Sequence, residues 1–381
     1  MKTQISMSAY TDTKPHYDIL DGLRGVAAIT VLCFHIFEAF ATSHLDQNIN
    51  HGYLAVDFFF ILSGFVVGYA YDDRWVKMKT KDFIKRRIIR LHPMVAMGAI
   101  IGAIMFYFQG CPVWDVSKVT VIALFIATFI NALLLPATLG TEIRGLGEMF
   151  PLNGPSWSLL FEYIGNILYA FFIHKFSTKV LILIVFVAGC SLARFAILGP
   201  YGDLCAGYSL TGIEFTGGFS RLLFSFSAGL LLYRIFKPVK VKVEGAFWIC
   251  GLFIITFLAI PRIGGAEHLW MNGIYDTICC VVVFPLLVFL GASGKSSDKY
   301  TTWICKFLGD ISYPLYMVHY PFIYLYYAWV KNNNLTFQES FPGAAAVVIG
   351  SIILAYICLK FYDIPVRKYL TNRFLKPKNR V

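Results

Sequence analysis

The 381 residues are 57% hydrophobic and 17% aromatic but only 14% charged, against about 25% charged in an ordinary soluble domain. So few charges cannot coat a water-soluble globule of this length, which excludes a soluble enzyme and makes the bilayer the solvent for most of the fold. The formal charge of +11 does not imply nucleic acid, because the Lys and Arg fall between apolar runs and in the tail, where they orient a chain across a membrane.

In chain order, residues 1–21 are polar, and the first apolar run carries Arg24, so no signal peptide is read and a retained cytoplasmic segment is expected. Windows of about 19 apolar residues predict helices at 22–42, 53–71, 91–110, 119–136, 156–173, 180–199, 221–236, 246–263, 273–292, 310–330 and 343–362. The predicted fold class is all-α: a polytopic transmembrane helical bundle of ten or eleven segments filling 22–362, followed by a basic cytoplasmic tail at 363–381. The loop 72–90, with Arg74, Lys77, Lys79, Lys81, Lys85, Arg86, Arg87 and Arg90, is predicted to be cytoplasmic, as is the tail with Arg367, Lys368, Arg373, Lys376, Lys378 and Arg380. Both ends inside require an even number of crossings, so one of the eleven segments is expected to be re-entrant. Lys237, Lys240 and Lys242 also belong inside, which places the irregular segment between Leu91 and Phe236, with 119–174 the expected region. Backbone of that kind survives at membrane depth only against protein or a watery cavity.

The nine cysteines lack any C-x-x-C pair and mostly lie in apolar spans, as Cys33, Cys190, Cys250 and Cys358 do, so they read as small core residues. Only Cys111 and Cys205 fall in loops where a disulfide could form, and no spacing resembles a metal site. No internal repeat is evident, which weighs against a secondary transporter built from two matching halves.

Ionisable side chains inside apolar helices are costly and usually face a cavity or a partner. Arg24 and His35 are eleven residues apart, hence on one helix face and about 16 Å apart along the axis. A guanidinium near the cytoplasmic mouth suits a phosphorylated ligand, and an imidazole at depth can take a proton from a hydroxyl. The plainer reading is an orientation anchor and a packing histidine. Glu38, one turn on, can orient the imidazole or sit at the outer interface. Asp57, alone in Ala-Val-Asp-Phe-Phe-Phe, reads as a structural or orienting partner returning near the depth of His35. Arg86, Arg87 and Arg90 form a cluster at a helix entry, with Arg86 and Arg90 on one face. Glu162, in an apolar helix, demands a partner such as an Arg; Ser158 lacks a nucleophile setting and reads as a packing hydroxyl, and His92 is left unassigned. His319 lies in an aromatic run from Tyr313 to Tyr327.

Five blocks in order resemble acyltransferase family 3, a family of integral membrane O-acyltransferases. They are Leu20-Asp21-Gly22-Leu23-Arg24-Gly25 with His35; residues 52–65; 83–93; Pro155-Ser156-Trp157-Ser158-Leu159-Leu160-Phe161-Glu162; and Ile311-Ser312-Tyr313-Pro314-Leu315-Tyr316-Met317-Val318-His319-Tyr320-Pro321. The resemblance spans residues 20–321. It implies acetyl-CoA as acyl donor, with its phosphates near Arg24, Arg86, Arg87 and Arg90; His35 as general base or transient acyl carrier, with Glu162 in the catalytic set; and Asp57, His319 and Glu38 orienting groups or meeting substrate. It further implies a sugar hydroxyl as acceptor, on a glycan such as lipopolysaccharide O-antigen or exopolysaccharide, in the bacterial inner membrane. No metal and no nucleic-acid partner is expected. Tyr163 and Ile164 depart from the Glu and Gln that follow Glu162's counterpart in many members, and the esterase-like domain that many members append is not expected here. The alternative from another class is a proton-coupled transporter or a flippase whose buried His and Arg move an anion or a lipid-linked sugar.

Overall fold

The structure is a computed structural model that describes residues 14, 16–43, 45–138, 140–236, 245–265, 267–294 and 298–375. Lys237, Lys240, Lys242, Lys376, Lys378 and Arg380 lie outside the described residues. Among those described there is no β-strand. The helices are α1 (Asp18–Phe37), α2 (Ala55–Tyr71), α3 (Thr80–Met105), α4 (Val121–Ala132), α5 (Ser156–Phe171), α6 (Thr178–Leu198), α7 (Gly212–Ile235), α8 (Ala246–Ala259), α9 (Trp270–Ile278), α10 (Phe284–Ser293), α11 (Lys299–Val318), α12 (Tyr320–Asn333), α13 (Phe337–Cys358) and α14 (Ile364–Phe374).

Each of the eleven predicted segments falls on one helix or on an end-to-end pair. Single π turns at Cys279–Val283 and Leu359–Asp363 join α9 to α10 and α13 to α14, and a bend at His319 joins α11 to α12. Eight helical stretches of the described chain are long and apolar enough to cross a membrane. Phe125, Phe186 and Phe361 point outward, largely exposed, as a hydrocarbon solvent allows.

α1 is the central post, packed against α2, α8, α11, α12 and α13. Hydrocarbon gives helices no hydrophobic drive to associate, so close backbone approach at small residues carries the packing. A methyl group on Gly64 of α2 would collide with the Phe226 carbonyl of α7, and one on Gly229 of α7 with the Ile61 carbonyl of α2. The same pair of helices is pinned by Arg221, whose Nη2 donates to Asp57 Oδ2 at 2.7 Å and to the Tyr53 carbonyl at 2.7 Å, while Nη1 donates to the Ala206 carbonyl at 2.7 Å. Both ions are buried.

Lys14 donates to the Tyr69 carbonyl and to Asp73, and Arg367 of α14 shares a cavity with Arg90 of α3, so both ends of the described chain lie on the face that carries Arg87 and Arg90. That face is called the basic end. Eleven rods with both ends on one face leave one rod that turns back. α4 has 12 residues, about 18 Å, and lies between the far end of α3 and residues 133–155, whose described part has no regular structure and leads into α5. α5 then runs to the basic end, where the His174 ring stacks on Trp75 at 3.9 Å. All nine cysteines are unpaired, Cys111 and Cys205 included.

Candidate active site

Arg24 and His35 project from one post into two different cavities. The cavity at the basic end, about 140 Å³, is lined by Arg24, Arg87, Arg90, Ser158, Glu162 and Tyr313 among others. Arg87 Nη2 donates to Glu162 Oε1 at 2.7 Å, and Ser63 Oγ donates to the same oxygen at 2.8 Å. Arg24 Nε donates to Ser312 Oγ at 2.8 Å and its Nη2 to the Gly309 carbonyl at 3.0 Å, with Asp21 Oδ1 at 3.2 Å. Three guanidiniums thus face two carboxylates, and Arg87 Nε is buried with no hydrogen-bond partner. Such a lining suits an anion with several acceptor oxygens. Glu162 is therefore the partner of the basic cluster, and it sits in a different cavity from His35. Arg86 corrects the expectation for the trio: it does not line this cavity, because the inward arc of α3 runs through Arg87, Arg90 and Leu91.

The second cavity, about 340 Å³, lies toward the opposite end and is lined by His35, Glu38, Glu148, Trp157, Arg221 and Tyr320 among others. His35 Nδ1 lies 2.7 Å from Glu38 Oε1; a carboxylate only accepts, so Nδ1 is the donor of this pair, and in the neutral ring the lone pair is then on Nε2. Glu38 can reach back because the chain tightens into a 3-10 turn at Glu38–Phe40 as α1 ends. Tyr320 OH donates to the other Glu38 oxygen at 3.4 Å, and the Tyr320 ring meets His35 edge-on at 4.8 Å.

His319 lines neither cavity. It is fully buried at the bend between α11 and α12, stacked behind His35 at 5.5 Å between ring centroids, with Nδ1 3.0 Å from the Leu315 and Tyr316 carbonyls. It backs the His35 ring and is not placed to meet substrate. Asp57 likewise lines neither cavity; it holds Arg221, which does, and so orients a cavity wall instead of His35. His92 meets the Tyr163 hydroxyl at 3.4 Å, and Ser158 Oγ pairs with the Tyr316 hydroxyl at 2.8 Å.

Arg221, Arg144 and Glu148 were not singled out from the sequence. For Arg221 the signal existed: it is a charge inside an apolar helix, but the predicted helix began at 221, nine residues after the true start of α7 at Gly212, and so made it a flanking charge. Glu148 lies in irregular chain with no periodicity to mark it. Burial pushes its carboxyl up to about 7, against the opposing pull of the Tyr324 hydroxyl that donates to it and of Arg144. The Arg144 guanidinium lies over the Tyr324 ring at 3.6 Å. Among the described residues no three His, Cys, Asp or Glu are grouped to hold a metal ion.

The chain matches the family described as Acyltransferase domain over residues 17–360. It is 31% identical to Protein 2 in picA locus of Rhizobium radiobacter over 182 residues, 46% of this chain and 91% of that one. It is 22% identical to O-acetyltransferase OatA of Staphylococcus aureus over 377 residues, and 24% identical to Peptidoglycan O-acetyltransferase OatA of Listeria monocytogenes over 385. Each of these matches takes in 92% of this chain but only 57% and 55% of the relative, so the chain spans little more than half the length of these two proteins. No solved structure matches it. With the family match covering nearly all of the helical bundle, the chain belongs to the acyltransferase domain family as an integral membrane member.

Proposed function

We propose that this protein transfers an acetyl group from acetyl-CoA, bound at the basic end, to a hydroxyl of a glycan held in the opposite cavity. The observation that carries the reading is the Glu38–His35 pair, whose imidazole lines one cavity while Arg24, on the same helix post, lines the other. The positive-inside rule puts the basic end, and both termini, in the cytoplasm, where a thioester donor is available. Arg24, Arg87 and Arg90 then meet the donor's phosphates, with Glu162 holding Arg87 in place.

His35 Nε2 takes the proton from the acceptor hydroxyl as its oxygen attacks the thioester carbonyl. The C–O bond forms, the C–S bond breaks, and the proton passes from His35 to the departing thiolate. As an acyl carrier the same nitrogen would itself attack first, its N–C bond forming as the C–S bond breaks and the thiolate leaves; the hydroxyl oxygen would then bond to the acyl carbon as the N–C bond breaks, its proton passing to the freed Nε2 and on to the thiolate. Either route needs the Nε2 lone pair, which the hydrogen bond from Nδ1–H to Glu38 keeps available. Trp157, Tyr320 and Tyr327 give the acceptor cavity aromatic faces on which a sugar can stack. Two relatives are named as O-acetyltransferases, one of them for peptidoglycan. A bacterial surface polysaccharide, such as O-antigen or an exopolysaccharide, is the acceptor class this supports, with the protein in the plasma membrane.

The test is purified protein in nanodiscs supplied with acetyl-CoA and surface glycan from a deletion strain. Free thiol and ester-linked acetyl should appear together and vanish in His35→Ala. Thiol release indifferent to His35, alongside solute flux in vesicles, would support a transporter instead.

A further inference from the structure

The two cavities have only Val56 and Tyr316 in common among their lining residues. Both are nearly buried, at 5% and 6% exposure, so side chains and not open space separate the two compartments. The Tyr316 hydroxyl pairs with Ser158 Oγ at 2.8 Å and stands 3.4 Å from the Pro155 carbonyl, and its ring meets Phe59 edge-on at 5.5 Å. No ion pair holds it. Tyr316 also sits on a weak stretch of helix, between Pro314, which lacks a backbone donor, and the bend at His319. Arg24 and His35 lie on either side of this closure, about 16 Å apart along α1. A thioester held by its phosphates at the basic end must therefore pass Tyr316 before Nε2 can act on it.

We propose that Tyr316 determines which acyl groups reach His35. The phenol leaves Ser158 to let the thioester end through, and the gap it opens against Val56 accepts an acetyl group while resisting longer chains. This rests on the placement of donor and acceptor proposed above.

The experiment uses the full chain in nanodiscs with acetyl-CoA or butyryl-CoA and no glycan, and it measures free thiol. Water is then the acceptor: its oxygen bonds to the acyl carbon, the C–S bond breaks, and the products are thiol and carboxylic acid. Tyr316→Ala should raise thiol release from acetyl-CoA and lift the butyryl-to-acetyl ratio by about tenfold, the scale on which apolar sites discriminate by chain length. His35→Ala in the same background should abolish both gains. Tyr316→Phe keeps the bulk but loses the pairing with Ser158, and it should raise release while preserving the acetyl preference. Val56→Phe should lower release from both donors. A folded Tyr316→Ala protein with the wild-type chain-length ratio, or Val56→Phe with undiminished turnover, would overturn the assignment. If Tyr316→Ala does not purify as a single species, Tyr316→Leu and Val56→Phe decide the matter. Failure of the underlying reading looks different, because wild-type protein would then show no His35-dependent thiol release even with glycan supplied, and both proposals would fall.

Discussion

At residue scale the proposed chemistry depends on which nitrogen of His35 is free. Glu38 takes the Nδ1–H, so Glu38→Gln should leave acetyl-CoA affinity intact while lowering kcat by about a hundredfold, within the range that positioned acid–base groups contribute. Steady-state kinetics separating kcat from the donor KM checks this. Arg24→Ala should do the opposite, raising the donor KM by about tenfold with kcat little changed, as expected for one lost charge-assisted contact. Glu148 gives a pH signature. Its carboxyl is raised to about 7, so the folded chain keeps a proton there that the unfolded chain releases in the ordinary carboxylate range. That contribution to stability is present at low pH and is lost as pH rises through about 7. The thermal midpoint in detergent should carry a component that declines through this interval, and Glu148→Gln should remove it.

At the scale of elements, hydropathy located every described helix except α14, which lies in the stretch read as the basic tail, because crossing hydrocarbon demands a long apolar run, but it located the ends poorly. α3 starts at Thr80 and α11 at Lys299, well before the windows at 91 and 310, because charged turns continue a helix past the apolar stretch. The division at His319 was not legible either: one apolar window covered both α11 and α12. Within the site, Arg24, His35 and Glu38 could be read because a single helix fixes their spacing. Partners from different helices could be inferred only as types, so Glu162 was expected to find an Arg without saying which. The Asp57–Arg221 pair that ties α2 to α7 needed the fold. Breaking it by Arg221→Met should cost about 3–5 kcal/mol by leaving a buried carboxylate alone, whereas Asp57→Leu with Arg221→Leu should cost much less. Unfolding in detergent, followed for the single and double variants, measures the difference.

At the scale of the whole molecule, the bundle separates two chemical environments along one post, with cationic side chains at one end and a carboxylate-oriented imidazole toward the other. The proposed reaction therefore has a direction across the membrane. Proteoliposomes with the basic end outward, radiolabelled acetyl-CoA outside and glycan sealed within test this most directly. Labelled ester on the enclosed glycan is the predicted result, lost in His35→Ala and absent when the orientation is reversed. Labelling only when donor and glycan share one compartment, or labelling that survives His35→Ala, would contradict it.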